Sequence, residues 1–179
     1  MVLLGRAHRV WVPGLALPSS TAFRTPLGVT TSDAAHAEAH SLEVQVPFLQ
    51  AALEDFTLLP LVVGGATPAE VAAVLERVWG GDETLIVIST DLSHFHDLTT
   101  ARRLDAGTAA AIEKFETDLR GEQACGAAAL NGLLVLARHS SLRIERIGLA
   151  TSADTVGSPD RVVGYGAWWL DEPSGVSAA

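Results

Sequence analysis

Asp91 and His94 stand three residues apart at the end of Leu85-Ile86-Val87-Ile88-Ser89-Thr90, an apolar, β-branched run that turns abruptly polar. A carboxylate beside an imidazole is the minimum equipment for acid–base work: the carboxylate orients the ring and the ring moves the proton. Parallel α/β sheets collect such groups just beyond the carboxyl ends of their strands. The competing reading is a polar loop whose Asp caps the next helix. The pairing of Asp91 with His94 after so apolar a strand favours a site. His8 follows the short apolar stretch Val2–Gly5 in the same relation to its own strand, and it reads either as a ligand or as a loop residue. His36, His40 and Glu43 share one face of a helical stretch that opens after Thr31-Ser32-Asp33. Such a face is a metal or acid–base surface, or simply an exposed polar one. Glu38 sits in the middle of the His-to-His interval, so the zinc-peptidase pattern His-Glu-x-x-His is absent.

The elements that must position these groups are legible. Residues 2–5 predict a buried strand, and 9–32, with several prolines, a long irregular connection of the functional kind. Pro47 interrupts Leu42–Leu53, so the helix there kinks or restarts. Phe56–Val63 predicts a second buried strand ending at Gly64-Gly65. In Thr67-Pro68-Ala69-Glu70, Thr caps, Pro takes the first helical position and Glu reaches back to the cap. Val71, Val74, Leu75 and Val78 give that helix one apolar face, and Gly80-Gly81 ends it. The run at 85–88 then reads as a strand buried on both faces, closing a parallel crossover. Leu104, Thr108, Ala111, Ile112 and Phe115 outline a further helix, and Ala124–Ala137 another, dense in small residues. Cys125 falls in that dense stretch and reads as packing. Leu142–Thr151 and Arg161–Leu170 are strands, the second with Gly164-Tyr165-Gly166 inside it, and 171–179 a flexible tail.

Composition narrows the function classes. The chain has 179 residues, so a single domain over 1–170 with its own core is expected. A net charge of -9 without a Lys/Arg cluster argues against nucleic acid. A single cysteine rules out an internal disulfide and a cysteine-built zinc site. No run is long enough to span a bilayer, so no membrane role and a cytoplasmic location are the expectation. Neither a phosphate-binding loop nor a Gly-x-Ser-x-Gly elbow is present, which disfavours ATP and serine-hydrolase chemistry. Met1 leads straight into an apolar strand, an abrupt start that points to an internal beginning.

Six stretches in order then carry a resemblance. They are Leu4-Gly5-Arg6-Ala7-His8-Arg9-Val10, Thr25-Pro26-Leu27-Gly28, the run from His40-Ser41-Leu42-Glu43 through Pro47-Phe48-Leu49, Ser89-Thr90-Asp91-Leu92-Ser93-His94, Cys125-Gly126 and Val163-Gly164-Tyr165-Gly166-Ala167. Together they resemble the Memo family, whose bacterial members are called AmmeMemoRadiSam system protein B. The resemblance implies a three-layer α/β/α fold with a mostly parallel central sheet, like that of class III extradiol dioxygenases. It implies a His-lined pocket, with a non-haem transition metal (iron, copper or manganese) associated with two His and one Cys. The two His fall on His8 and His40, and the acid–base pair on His94 and Asp91. The Cys position falls near Asp154-Thr155, where this chain has no thiol, and a hard carboxylate such as Asp154 favours iron or manganese over copper. Glu43, Asp154 and Tyr165 are the expected pocket and supporting residues. Family members begin with several dozen further residues, including a Pro-His-Ala-Gly stretch that adds a strand and a pocket wall. Two functions follow as expectations. One is a metal-dependent oxidoreductase of dioxygenase-like type acting on a small substrate. The other is a non-catalytic protein keeping the pocket for a small-molecule or peptide ligand, with ammonia-lyase-like and radical-SAM proteins as partners.

Overall fold

A computed structural model describes residues 1–8, 10–18 and 40–173. In chain order the elements are β1 (Val2–Arg6), β2 (Leu15–Ala16), α1 (His40–Glu43), α2 (Val46–Ala52), β3 (Leu59–Val63), α3 (Pro68–Val78), β4 (Ile86–Ile88), β5 (His94–His96), α4 (Leu98–Glu113), α5 (Ala127–His139), β6 (Arg143–Thr151), a 3-10 turn at Ser152–Asp154 and β7 (Val162–Asp171). Two sheets form. The first has the order β2-β3-β1-β4, with β1 parallel to both β3 and β4 and β2 antiparallel to β3. The second, β5-β7-β6, is antiparallel.

The first sheet is covered on both faces, and the alternation of side chains along β1 and β3 shows how. Val2, Leu4, Leu61 and Val63 point to one face, against Val71 and Leu75 of α3 and Ala129 and Leu136 of α5. Leu3 and Val62 point to the other, against Leu42 of α1 and Val46 of α2. This is the expected three-layer α/β/α arrangement with a mostly parallel sheet. It explains why Val-Leu-Leu-Gly reads as a continuous apolar run and not an alternating one. A third cluster joins Leu92, Ile112, Leu130 and Leu134 and packs against Ile144 and Trp168 of the second sheet.

Local chemistry sets the helix ends. Thr67 and Glu70 form the capping box reciprocally, with Pro68 in the first turn. Pro47 lies in the first turn of α2, so the expected interruption is a restart. The small residues of α5 let it approach α3: a β-carbon on Gly132 would sit 2.3 Å from Cβ of Val71. Pro60 is tolerated inside β3 because Leu59 donates toward β1 (2.9 Å to the Met1 carbonyl), so the Pro60 nitrogen faces the side where β2 pairs only from Val62 on.

Two expectations need correction. The strand at 56–63 forms only from Leu59. The strand at 85–88 packs on both faces, Ile86 and Ile88 against one core cluster and Val87 against another, but is fully buried on neither. Its three paired residues are each half-buried, and it is the edge of the first sheet among the described strands. Hydrophobicity reports what a strand can bury, whereas exposure depends on which neighbour covers it. No helix among the described residues is long and apolar enough to cross a membrane.

Candidate functional site

The site forms where the chain leaves β4. Ser89 is held to the sheet by its N–H, which donates to the Leu4 carbonyl (2.8 Å), and the chain then turns out over the N-terminus of α5. Two residues clasp there. The Asp91 N–H donates to Cys125 Sγ (3.2 Å) and the Cys125 N–H donates to the Asp91 carbonyl (3.1 Å). Thr90 Oγ1 accepts from the Gly126 N–H (2.8 Å) and lies 3.7 Å from the same sulfur. His94 Nε2 stands 3.4 Å from Asp91 Oδ2. The donor atoms of Asp91, His94 and Cys125 all fall within 4.8 Å of one another, on half-buried side chains. Carboxylate, imidazole and thiol thus converge at the carboxyl end of a parallel strand.

His94 is fixed from behind. The Ser93 N–H donates to Oδ1 of Asp105 (2.9 Å), a carboxylate only 3% exposed on α4. Leu92 N–H donates to the Gly164 carbonyl and Gly164 N–H to the Ser93 carbonyl, both at 2.8 Å, which ties the loop to β7. The next residue, Phe95, has a φ of 65°, in the left-handed region that non-glycine residues avoid. That backbone costs on the order of 1–2 kcal/mol. The bonds on either side and the Arg161 guanidinium, 4.6 Å over the Phe95 ring, hold it there. A loop so determined presents His94 in one orientation.

α1 brings His40 to the same rim. Ser41 Oγ donates to the Arg6 carbonyl at the end of β1 (3.1 Å), Leu42 is buried on the sheet, and Gln45 Nε2 donates to Ser89 Oγ (3.1 Å). The approach is close because residue 5 is glycine: a β-carbon there would lie 2.4 Å from Ser41 Oγ. His40 Nδ1 is 3.6 Å from Glu43 Oε2. The His8 imidazole is held below its ordinary value of 6.5, first by loss of surrounding water, although the residue as a whole stays exposed. The Arg6 guanidinium is the next cause, with His40 and His94 adding to it and Asp91 opposing. His8 therefore shares one electrostatic neighbourhood with Asp91, His40 and His94, and its neutral form is favoured.

The other expected residues lie elsewhere. Asp154 is fully engaged: Oδ2 accepts from the N–H and Oγ1 of Thr151 (2.6 and 2.9 Å), and Oδ1 accepts from Arg102 (2.9 Å). These bonds keep its carboxyl below the usual range, the Thr151 N–H foremost. Tyr165 is 42% exposed and faces Ala150 across the β6–β7 ladder. Neither belongs to the three-residue group, and neither do His8, His40 and Glu43. The thiol that does belong is Cys125, which the sequence assigns to packing. Its signal was the Cys125-Gly126 stretch, already part of the resemblance. Asp105 was also missed, since a helical Asp among Ala and Thr carries no mark of its role. His36 and Thr25–Gly28 lie outside the described residues.

The fold and the site define an α/β protein with a thiol, imidazole and carboxylate cluster at the strand ends of a mostly parallel sheet. Residues 29–169 match the family described as Memo-like protein, and the chain belongs to that family. Its relatives include MEMO1 family proteins of several organisms. That of Metallosphaera sedula is 27% identical over 201 residues, which covers 92% of this chain and 70% of that protein. That of Thermotoga neapolitana is 36% identical over 141 residues, covering 73% of this chain and 50% of the relative. That of Methanosarcina mazei is 29% identical over 196 residues, covering 93% and 73%.

Proposed function

We propose that this protein is a metal-dependent oxidoreductase of dioxygenase-like type acting on a small substrate, with Cys125, His8 and His40 as metal ligands and Asp91–His94 as the proton-handling pair. The observation that carries the reading is the gathering of Cys125 Sγ, the Asp91 carboxylate and the His94 imidazole within 4.8 Å. His8 and His40 lie outside that group and are assigned as ligands from the family resemblance and from the electrostatic neighbourhood that His8 shares with His40, Asp91 and His94. The donor chemistry fits a transition metal. A thiolate with imidazoles suits iron or copper, whereas manganese prefers a purely oxygen-rich set. When bound, such a metal supplies one-electron chemistry and a Lewis-acid centre.

The residues around it have separable tasks. The Asp91 and Thr90 contacts fix the Cys125 sulfur in place. His8, held neutral below its ordinary value, keeps a nitrogen lone pair free for a cation at lower pH than an ordinary imidazole would. Asp91 orients His94 across 3.4 Å, so that the ring takes a proton from a substrate hydroxyl or returns one. Asp105, through the Ser93 N–H, keeps that ring in register.

Metal content of purified, reconstituted protein tests the assignment. Wild type is expected to bind close to one equivalent of iron or copper. Cys125→Ser and His8→Ala lower the affinity by ten- to a hundredfold or more, while His94→Gln retains the metal. Wild-type protein that stays metal-free, or Cys125→Ser and His8→Ala proteins that load as wild type does, would overturn it.

A further inference from the structure

A cavity of about 490 Å³ opens beside the cluster at the carboxyl ends of β1 and β3. Its volume is in the range of sites for small organic ligands. Its walls are apolar or small: Trp11, Val12, Val63, Pro68 and Leu119 among them, with Cys125 at one side. Among the described residues Arg6 is the only charged side chain in the lining, and none of those lining residues is a carboxylate. The Arg6 Nη1 makes one long bond, 3.4 Å, to the Cys125 carbonyl. No carboxylate of the described residues lies within ion-pair distance of it, so toward the described residues most of the guanidinium's five N–H donors are uncommitted.

We propose that this cavity binds a small carboxylate with an apolar body, its carboxylate on Arg6 and its body between Trp11 and Leu119, so that the bound molecule lies next to Cys125. A guanidinium presents a planar fork that matches a carboxylate in two parallel bonds. One positive charge balances one negative charge. A phosphate dianion would leave a charge unmatched in a chain whose net charge is already -9. The apolar walls exclude small, fully hydrated anions, because burying such an ion without enough partners is unfavourable. This assigns the substrate class of the proposed oxidoreductase, and rests on that reading only for what happens to the carboxylate once bound.

Binding of benzoate and of its neutral analogue benzyl alcohol to metal-free protein, followed by calorimetry, tests the assignment without turnover. Benzoate is expected to bind about tenfold or more tightly than benzyl alcohol. Arg6→Gln removes that preference, leaving benzyl alcohol affinity unchanged, and Arg6→Lys restores part of it. Equal affinities in wild type, or a benzoate affinity indifferent to Arg6→Gln in a variant with the wild-type melting curve, overturn the proposal. If Arg6→Gln does not fold, the wild-type preference and the Arg6→Lys result decide. Metal uptake by the same preparations, measured after separate reconstitution, separates the two readings. An Arg6-dependent preference for benzoate in a protein that takes up no metal sinks the metal assignment alone, and a metal-loaded protein without that preference sinks this one alone.

Discussion

Gly5→Ala would test whether the close seating of α1 on β1 is what brings His40 to the site. A β-carbon at residue 5 would lie 2.4 Å from Ser41 Oγ, 2.8 Å from Leu42 Cδ2 and 3.0 Å from Ser41 Cβ. Ordinary carbon–carbon contact is roughly 3.5–4.0 Å, so Leu42 must give by about 1 Å. Leu42 is 1% exposed and has no open space to move into. Ser41 Oγ can rotate away, but only by giving up its 3.1 Å bond to the Arg6 carbonyl. Overpacking costs about 1–3 kcal/mol and the lost hydrogen bond about 0.5–1.5. Restricting the unfolded chain returns about 0.4–1 kcal/mol. The net is a destabilisation of about 1–3 kcal/mol, which for a chain this size is a drop of roughly 3–10 °C in Tm. The functional effect is larger than the stability effect. A shift of about 1 Å in α1 carries His40 off its position, and misplacements of that size cost on the order of a hundredfold at a reacting centre. Calorimetric melting and metal titration of the folded protein read the two effects separately. Gly5→Ala/Ser41→Gly removes two of the three clashing atoms and is expected to recover part of both. A Gly5→Ala protein that melts within about 1 °C of wild type and binds metal equally well would refute the reasoning, since α1 would then be free to move without consequence.

Two other outcomes follow from groups around His94. Asp105→Ala leaves the buried Ser93 N–H without an acceptor and is expected to cost about 1–3 kcal/mol in urea denaturation; a change below about 0.5 kcal/mol would show that the 2.9 Å bond is not holding the loop. The His8 ring, followed by NMR in metal-free protein, is expected to titrate below 6.5 and to move upward in Arg6→Gln, because the guanidinium is the second cause of its shift after loss of water. The sign for stability follows from the same depression. The unfolded chain binds the His8 proton more tightly, so this contribution is complete above 6.5 and is lost as pH falls through the lower folded value. A His8 midpoint at or above 6.5 would remove the argument for a favoured neutral imidazole.

Much of this architecture could be read along the chain because it is local. The Thr67–Glu70 capping box, the restart at Pro47 and the doubly buried β1 depend on residues within a few positions of one another or on the composition of one segment. The 85–88 run failed the same test for a stated reason. Three apolar β-branched residues look alike in sequence whether a strand covers their outer side or not, and only the sheet order shows that Ile86–Ile88 lies at an edge among the described strands. The site residues divide in the same way. Asp91 and His94 could be paired because they share one loop, and His8 could be placed because it follows its own strand.

The environments of Asp154 and Cys125 show where such reading stops. Asp154 is an expected pocket residue because the Cys position of the family falls near Asp154-Thr155 in this chain. In the structure its lone pairs are taken by Thr151 and Arg102, and it closes a turn. Cys125 looked inert because it sits among alanines and glycines at a helix start. That small-residue context is what makes the thiol available, since bulky neighbours would keep α5 from lying against the β4 exit. Once the helix lies there, the Gly126 N–H reaches Thr90 Oγ1 and the Asp91 N–H reaches the sulfur. The distance in sequence is 34 residues and the distance in space is 3.2 Å. No pattern of spacing encodes that contact; packing of one helix on one sheet creates it. Small residues flanking a lone cysteine at a helix N-terminus, facing a strand that ends in Asp, therefore mark a place where the thiol can meet polar groups of that strand's exit as well as pack.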